Sequence, residues 1–367
     1  MQRHEATRVV TRGTSHVRHR APRHRARATR HTFRRRRKTN GRAQPGAAGG
    51  RSGAGVVAAG HPVGRVLDAL NLRPGWRTRF APAPTGFLHL GHVVNAIYVW
   101  GMARAHDGRV MLRIEDHDRS RCRLEYEQAL LDDLDWLGFT PDGGTTAEFR
   151  AGASALRQSD NDWRYAAAIT ALEIRGFIYP CRCSRGDIAR LVEDRPSEEM
   201  RYPGTCRDSA IPPDASMQRR VKLGPERERF FDLLRGPQEQ VPAEQCGDVL
   251  VRDRLGQWTY QFAVTVDDLD QQIDVVIRGE DLLASTGRQR ALARLMGRKR
   301  PLHFMHHPLV RHPGGAKLSK SAGDSGVREL RAAGASAADV IGHAARLAGL
   351  QADDAPCAAC DVHRFFT

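Results

Sequence analysis

Two short motifs more than two hundred residues apart carry side chains suited to phosphate chemistry. The first is the His-Leu-Gly-His run at 89–92, and the second is the Lys-Leu-Ser-Lys-Ser run at 317–321. Imidazoles at a helix start can donate to phosphate oxygens, and lysine ammonium groups on flexible stems can close over a pyrophosphate. Either motif alone is a weak signal, but the two in this order predict one ATP site. The predicted catalytic residues are His89, His92, Lys317 and Lys320, and the predicted ATP-binding residues are His89, Gly91, His92 and Lys320.

Such a site predicts attack of a carboxylate on the α-phosphate of ATP, which is adenylation. The protein has little covalent chemistry to perform in that reaction. It must hold the nucleophile in line and stabilise the growing phosphate charge.

The elements around the first motif are typical of the start of a nucleotide-binding α/β unit. Residues 76–81 predict a strand, and the two prolines and the glycine of 82–86 end it. An apolar run at 93–105 predicts a helix, and residues 108–114 predict a second strand with Glu115 at its carboxyl end. The other predicted elements are helices at 125–137, 163–175, 286–296 and 336–350, the last capped by Ser336 and Asp339, and strands at 258–266, 273–277 and 303–310.

Five sequence blocks resemble, in the same order, the glutamyl type of class I aminoacyl-tRNA synthetase. They are Arg79–Gly86, His89–His92, Arg113–Asp116, Ile277–Asp281 and Lys317–Ser321. The second and the last are similar to the HIGH and KMSKS motifs of that family. The resemblance implies an α/β fold, in which a Rossmann-type parallel-sheet catalytic domain carries an inserted subdomain that binds a tRNA acceptor arm.

Two arginines are the candidates for selecting the amino acid. A glutamate substrate presents a side-chain carboxylate, and the planar fork of arginine pairs with a carboxylate at two points. Arg79 and Arg278 each lie near the carboxyl end of a predicted strand, where open α/β sheets bind ligands; the alternative is that both are surface ion-pair partners. We expect Glu115 to hold the substrate's ammonium group and Tyr260 to supply a hydroxyl. The resemblance implies the same glutamate-binding positions and adds Ala83, where the family usually has Ser.

Three cysteines and a tyrosine form a candidate metal site. Cys181 and Cys183 make a CxC pair, and Tyr202 and Cys206 follow. Three soft ligands and a phenol oxygen can close a tetrahedral zinc site, although free cysteines are often small buried apolar residues, and that alternative stays open. The shortened members of the family, the glutamyl-Q-tRNA(Asp) synthetases, resemble this set. That resemblance implies one Zn²⁺ held by Cys181, Cys183, Tyr202 and Cys206.

Charge and composition separate a basic N-terminal segment from the rest of the chain. The formal net charge of +16 arises mostly in residues 1–60, which hold fifteen Arg and one Lys against Glu5 alone. This composition predicts a disordered tail, and the alternatives are a phosphate-binding arm, an organellar transit peptide, a merely solvated tail, or an upstream segment translated from a misassigned start. Seven cysteines in 367 residues are not a disulfide framework, and Cys357 and Cys360 are predicted to be surface or terminal thiols. No apolar stretch is long enough for a membrane span, so we expect a cytoplasmic protein.

The predicted domain organisation has five parts. They are a disordered basic tail at 1–72, the first half of the catalytic domain at 73–180, the inserted subdomain with the zinc site at 181–247, the second half of the catalytic domain with the lysine motif at 248–325, and a short helical segment at 326–367.

The end of the chain separates members of the family. Ser321 is followed by 46 of the 367 residues, which is room for one or two helices and not for a large anticodon-binding domain. The resemblance implies that L-glutamate is activated by ATP with Mg²⁺ without tRNA, and is moved to the queuosine base in the anticodon of tRNA(Asp). We expect a monomer whose partners are ATP, glutamate and the anticodon arm of tRNA(Asp). The alternatives are a truncated glutamyl-tRNA synthetase that charges a tRNA 3′ end, and a catalytically silent paralogue that binds RNA.

Overall fold

The computed structural model describes residues 70, 72–192, 200–212, 214, 216–310 and 326–367. The basic segment 1–60 and the second motif, with Lys317 and Lys320, lie outside the described residues. None of the described helices combines the length and the apolar character needed to cross a membrane.

The described part of the chain contains both strands and helices. The strands are β1 (Arg77–Phe80), β2 (Arg109–Leu112), β3 (Ile178–Cys181), β4 (Gln218–Val221), β5 (Glu228–Asp232), β6 (Gly236–Gln240), β7 (Val249–Arg252), β8 (Val275–Gly279) and β9 (His303–His307). The α-helices are α1 (Leu90–Ala105), α2 (Leu124–Leu137), α3 (Thr146–Ala151), α4 (Asp162–Ile174), α5 (Arg185–Leu191), α6 (Pro242–Gln245), α7 (Tyr260–Asp270), α8 (Thr286–Leu295), α9 (Val327–Ala332) and α10 (Ala337–Leu347). Short 3₁₀ turns cover Gln158–Asn161, Glu280–Ser285 and Ala359–Phe365.

The predicted strand–loop–helix start of the fold is confirmed. β1 and β2 pair in parallel, with Thr78 opposite Val110, and α1 is the crossover between them. α1 packs against β1, β2 and β8 and also against α10 and the terminal 3₁₀ turn. Because neighbours cover it on several sides, it is apolar around most of its circumference. The predicted cap of the last helix is also confirmed: Ser336 and Asp339 form a capping box at the start of α10.

Parallel pairing dominates the strands beneath α1. β8 and β5 both pair in parallel with β9, and β6 adds an antiparallel edge to β5. The backbone N–H of Asp274, just before β8, donates to the carbonyl of Arg77 at 2.8 Å, which places β1 beside β8. The predicted α/β class with a parallel sheet is therefore confirmed. β5 and β6 belong to this sheet although they fall inside the stretch 181–247.

A second, antiparallel sheet carries the cysteine pair. β4 lies between β3 and β7, and Cys181 at the end of β3 faces Gln218 at the start of β4. A small apolar cluster, separate from the main core, packs beside this sheet and contains Tyr179, Cys181, Cys183, Ile188, Tyr202 and Cys206. The cysteines thus lie in a small local core beside the antiparallel sheet.

The predicted strand at 258–266 is wrong, because Tyr260–Asp270 forms helix α7. Aromatic and β-branched residues alternate with smaller ones from Trp258 to Val266, which is the period of a strand. In the fold, however, all residues from Phe262 to Asp268 are buried, so the helix is enclosed by neighbours and shows no simple amphipathic pattern. Tertiary burial has overridden the local signal.

Close packing between α1 and the terminal 3₁₀ turn depends on Gly101. A Cβ at this position would lie 2.3 Å from Cε2 of Phe366 and 3.0 Å from the carbonyl oxygen of Val362. Gly101→Ala should therefore lower the free energy of unfolding by about 1–3 kcal/mol, because overpacking forces side chains and backbone to shift. Urea unfolding followed by circular dichroism measures the change.

Gly186→Ala is the matched control for that substitution. Gly186 lies in the exposed helix α5, where a Cβ would meet only Oγ of Ser184 at 3.7 Å. Alanine should leave stability unchanged there or raise it by up to about 1 kcal/mol through helix propensity. Equal stability of the two alanine variants would contradict the packing role of Gly101.

Candidate active site

The first motif begins helix α1 and holds its own imidazoles in place. His89 is the N-cap, and its Nδ1 accepts from the backbone N–H of Gly91 at 3.1 Å. Nδ1 of His92 accepts from the backbone N–H of His89 at 3.2 Å. Because both Nδ1 atoms accept, each neutral ring carries its proton on Nε2, and the helix end adds positive potential for a phosphate. A Cβ at Gly91 would lie 2.9 Å from Cε1 of His89, so the glycine makes room for the capping ring.

The described residues on both sides of the second motif lie at or beside the first motif. Val310 lines the same cavity as the two histidines. Gly326 forms a β-bridge with His89, and the backbone N–H of Val327 donates to the carbonyl of Leu88 at 3.0 Å. Val310 and Gly326, the described residues on either side of the second motif, therefore both lie beside the first motif.

A cavity of about 300 Å³ brings most of the predicted site residues together. It is lined by Arg79, His89, Gly91, His92, Glu115, Tyr260 and Arg278. Among the described residues, Ala81 lines this cavity and Ala83 does not. Asn95, Asp281 and His307 also line it, and the sequence did not predict them.

A fully buried arginine fixes the acidic group of the cavity. Nε and Nη2 of Arg113, which follows β2, donate to Oε1 of Glu115 at 3.2 and 2.9 Å. Its Nη1 donates to Oδ1 of Asp268 at 2.8 Å and to Oε1 of Gln271 at 3.0 Å, at the end of α7. Within the described chain these bonds use Oε1 of Glu115 and none uses Oε2. That second oxygen can accept from an ammonium group.

Arg79 is anchored by the same network. Its side chain in β1 is buried, and Nε donates to Oδ1 of Asp268 at 3.2 Å while Nη1 donates to the carbonyl of Ile277 at 3.4 Å. Burial would raise the pKa of Asp268, but the charges of Arg79 and Arg113 hold that pKa below its ordinary value. Asp268 is thus an anion that orients two guanidinium groups. The alternative that Arg79 is a surface residue is wrong.

Arg278 is equally buried, and most of its donors are already engaged. Nη1 donates to Oε1 of Gln289 at 2.7 Å, Nη2 to Oγ1 of Thr286 at 2.9 Å and to the carbonyl of Leu282 at 3.3 Å, and Nε to Nε2 of His306 at 3.0 Å. These contacts use four of the five N–H bonds of a guanidinium group. Burial lowers the pKa of Arg278, but an arginine is still charged at neutral pH. Two-point pairing with a carboxylate therefore requires that the carboxylate replace one of these acceptors.

Tyr260 supplies a neutral hydroxyl at the start of α7. Burial, and then the charge of Glu115, raise the pKa of Tyr260 above its ordinary value. The phenol is therefore protonated at neutral pH and can donate a hydrogen bond into the cavity.

His307 is a cavity residue that the sequence analysis missed. It ends β9, its Nε2 lies 3.1 Å from Oδ1 of Asn95 on α1, and its ring stacks on Tyr98 at 4.8 Å. Burial lowers the pKa of His307 to about 4, so the ring is neutral at neutral pH. Two consecutive histidines at the carboxyl end of β9, inside the predicted strand, were the available signal, because polar residues at the carboxyl ends of parallel strands face the ligand.

The cysteine cluster brings four potential ligands together. The sulfur atoms of Cys181, Cys183 and Cys206 all lie within 4.8 Å of one another. The hydroxyl of Tyr202 lies 3.5 Å from Sγ of Cys181 and 4.0 Å from Sγ of Cys183, and it accepts from the backbone N–H of Cys206 at 2.9 Å. Nε of Arg220 donates to Sγ of Cys181 at 3.4 Å, and its guanidinium lies 3.8 Å from the ring centre of Tyr202.

The chemistry of this donor set fits a structural zinc ion. Three thiols and a phenol are buried in one place, and a divalent cation bound there would stabilise the thiolate forms. Burial and the neighbouring thiols raise the pKa of Cys183 to about 11, so a cation is needed to ionise it at neutral pH. The pair near the chain end is different: Cys357 is buried in the main core and Cys360 is exposed, so the prediction of a surface thiol is confirmed only for Cys360.

Comparison with known proteins identifies the family. Residues 76–353 match the family described as tRNA synthetases class I (E and Q), catalytic domain. A Symbiobacterium thermophilum protein called Glutamyl-Q tRNA(Asp) synthetase is 40% identical over 284 residues, covering 74% of this chain and 86% of the relative. A Rhodobacter capsulatus protein of the same name is 39% identical over 281 residues, covering 72% of this chain and 97% of the relative.

Solved structures agree on the fold. A glutamate-tRNA synthetase from Elizabethkingia anophelis superposes with a TM-score of 0.65 at 25% identity, covering 80% of this chain and 66% of that one. A glutamate tRNA ligase from Elizabethkingia meningosepticum in complex with its amino acid gives 0.64 at 24% identity, covering 78% and 64%. This chain thus spans slightly less than two thirds of the solved proteins. By its family match and its relatives, the chain belongs to the class I tRNA synthetases of the E and Q type and is a ligase of that family, grouped with proteins called glutamyl-Q tRNA(Asp) synthetase.

Proposed function

We propose that this ligase activates L-glutamate with ATP in the absence of tRNA and transfers it to the queuosine base in the anticodon of tRNA(Asp). The observation that carries the proposal is the single cavity that holds two imidazoles at a helix start, two buried arginines and one anchored carboxylate. Phosphate, carboxylate and ammonium groups of the substrates each find a complementary partner there. The names of the relatives support the choice of tRNA(Asp) as the partner.

In the activation step, the α-carboxylate of glutamate attacks the α-phosphorus of ATP. The bond from that phosphorus to the bridging oxygen breaks, and pyrophosphate leaves. His89 and His92 donate from Nε2 to the phosphate oxygens, and Lys317 and Lys320 neutralise the leaving pyrophosphate. Mg²⁺ enters with ATP as part of the substrate.

Glutamate is held at both of its ends. Arg79 and Arg278 attract its side-chain carboxylate, and Oε2 of Glu115 accepts from its ammonium group. Tyr260 donates its hydroxyl from the wall of the cavity. Because Arg113 already fixes Glu115 and Asp268 already fixes Arg79, little conformational entropy of these two side chains is lost when the substrate binds.

In the transfer step, a hydroxyl oxygen of the queuosine ring attacks the carbonyl carbon of the adenylate. The ester bond forms, the bond from that carbon to the phosphate oxygen breaks, and AMP leaves. The hydroxyl proton passes to the leaving phosphate or to solvent.

Cys181, Cys183, Tyr202 and Cys206 are proposed to hold one Zn²⁺. The ion would supply structure and no chemistry, because all four ligand positions come from the protein. It would join the end of β3 to the segment that contains Tyr202 and Cys206, since both halves contribute donors to the cluster.

A glutamyl-tRNA synthetase activity that charges a tRNA 3′ end is the second candidate, favoured by the likeness to a solved glutamate-tRNA synthetase. The decisive experiment compares transfer of labelled glutamate to tRNA(Asp) with and without queuosine. We expect transfer only to the queuosine-containing tRNA, because only that base offers the acceptor hydroxyl. Equal transfer to both would overturn the proposal. Absence of glutamate-dependent ATP–pyrophosphate exchange would instead favour a silent RNA-binding paralogue.

Lys320→Ala is expected to slow glutamate-dependent ATP–pyrophosphate exchange by about 10²-fold or more, the scale for losing one group that stabilises transition-state charge. Lys299→Ala is the matched control, since this lysine is exposed and lies in the loop after α8. The control should keep the full exchange rate. A rate within twofold of the unchanged protein would remove Lys320 from the catalytic residues.

Cys206→Ser is expected to lose the bound zinc and to lower the thermal midpoint by about 5 °C or more, because metal-binding energy is folding energy in such a site. Zinc per chain is measured by plasma mass spectrometry and the midpoint by calorimetry. Cys360→Ser, which changes an exposed thiol, should keep both values. A purified protein without zinc, or a Cys206→Ser variant that retains it, would contradict the assignment.

A further inference from the structure

Three neighbouring strands place a carboxylate, an imidazole and a guanidinium in one line. Arg278 on β8 and His306 on β9 are register partners, and Nε of Arg278 lies 3.0 Å from Nε2 of His306. Nδ1 of His306 lies 2.5 Å from Oδ2 of Asp232, the last residue of β5. Asp232 and His306 have no exposed surface, and Asp232 does not line the cavity. The line therefore runs from the sheet interior to a cavity residue.

The donor and acceptor roles along this line are fixed by its two ends. Arginine has only donors, so Nε2 of His306 must accept from Arg278. Nδ1 must then carry the ring proton and donate to Asp232, which has to be an acceptor. The other oxygen of Asp232 accepts from the backbone N–H groups of Leu234 and Arg235 at 3.1 and 2.9 Å.

The ionisation states agree with these roles. Burial would raise the pKa of Asp232, but the hydrogen bond from His306 and the two backbone donors hold that pKa below its ordinary value. Burial, reinforced by the nearby charge of Arg278, lowers the pKa of His306, although Asp232 opposes this. A carboxylate, a neutral imidazole and a charged guanidinium are therefore the state at neutral pH.

The acceptor next to Arg278 is a neutral imidazole, which compensates the charge of the guanidinium less than a carboxylate would. Arg79 is paired directly with Asp268, so part of its charge is already compensated. Among the described residues, no carboxylate forms an ion pair with Arg278. An imidazole can hold the direction of the guanidinium without competing for its charge, which stays available to an anionic ligand.

We propose that Asp232 and His306 are positioning residues for Arg278: Asp232 fixes the tautomer of His306, and that tautomer holds the guanidinium in the orientation that receives the substrate carboxylate. The inference rests on the proposed function, in which Arg278 binds glutamate. Neither residue touches the substrate, so their substitution should change glutamate binding and leave ATP binding intact.

Asp232→Asn tests the tautomer directly, because the two side chains have nearly the same shape. The amide N–H₂ would donate to Nδ1 of His306 and move the ring proton to Nε2. Nε of Arg278 and Nε2 of His306 would then both be donors 3.0 Å apart, and among the described residues only Oγ1 of Thr286, 3.3 Å from Nε2, could accept from the ring. We expect the KM for glutamate in ATP–pyrophosphate exchange to rise about 10-fold or more, with the KM for ATP within twofold.

His306→Gln and His306→Met form a matched pair that keeps the test decisive if Asp232→Asn does not fold. Glutamine can donate to Asp232 and accept from Arg278, so its KM for glutamate should stay within about threefold. Methionine has a similar volume but no such donor, and it should raise that KM about 10-fold or more. The positioning role would be overturned if His306→Gln and His306→Met raised the KM for glutamate equally. It would also be overturned if a variant raised the KM for ATP as much as the KM for glutamate.

Arg278→Ala separates this inference from the proposed function. If that variant keeps its glutamate affinity in calorimetric titration, the proposed pocket is wrong. If Arg278→Ala loses glutamate affinity while Asp232→Asn and His306→Met keep it, Arg278 binds glutamate as proposed, and the positioning role of Asp232 and His306 is wrong. Thermal midpoints of all variants identify any change that is only a loss of folding.

Discussion

The buried guanidinium group of Arg113 is the constraint on which the cavity depends. A charge without exposed surface requires acceptors on every side, and Arg113 takes them from two separate elements. Glu115 directly follows β2, whereas Asp268 and Gln271 belong to the end of α7. The charge can be satisfied only when α7 docks on the ends of the parallel strands. That docking also brings Asp268 to Arg79. One ion network therefore positions both the carboxylate of Glu115 and the guanidinium of Arg79 in the cavity.

Parallel strand pairing explains why the remaining polar groups converge. Arg79, Arg278 and His307 lie at or near the carboxyl ends of β1, β8 and β9, and the helix start at His89 opens on the same edge. Apolar residues behind them have no exposed surface, which keeps the strands in one register. The two arginines share this edge but differ in charge compensation. Arg79 shares a carboxylate with Arg113, whereas the hydrogen-bond acceptors around Arg278 are neutral groups.

Local signals in the sequence were sufficient for part of this arrangement. The prolines after β1, the helix start at His89 and the capping pair Ser336–Asp339 act within a few residues, and each was predicted. Helix α7 was missed because its burial comes from neighbours and not from its own pattern. The hydrogen-bonded line from Asp232 to Arg278 joins residues 46 positions apart, because β9 lies between β5 and β8 in the sheet. The local periodicity of a sequence does not reveal this order of strands, so the line was not predicted. The resemblance implies a glutamate-binding position at Ala83, whereas among the described residues Ala81 lines the cavity.

The cysteine cluster and the cavity are joined by one continuous path. Arg220 on β4 donates both to Sγ of Cys181 and, at 2.8 Å, to the carbonyl of Asp248, just before β7. β7 then holds the start of α7, because Thr259 donates from its backbone N–H to Val251 at 3.1 Å and from its hydroxyl to Leu250 at 2.6 Å. The next residue is Tyr260 in the cavity wall. Since α7 also carries Asp268, the hydrogen bonds that begin at the cysteine sheet lead along this helix to the tyrosine hydroxyl and to the anchor of Arg79 and Arg113.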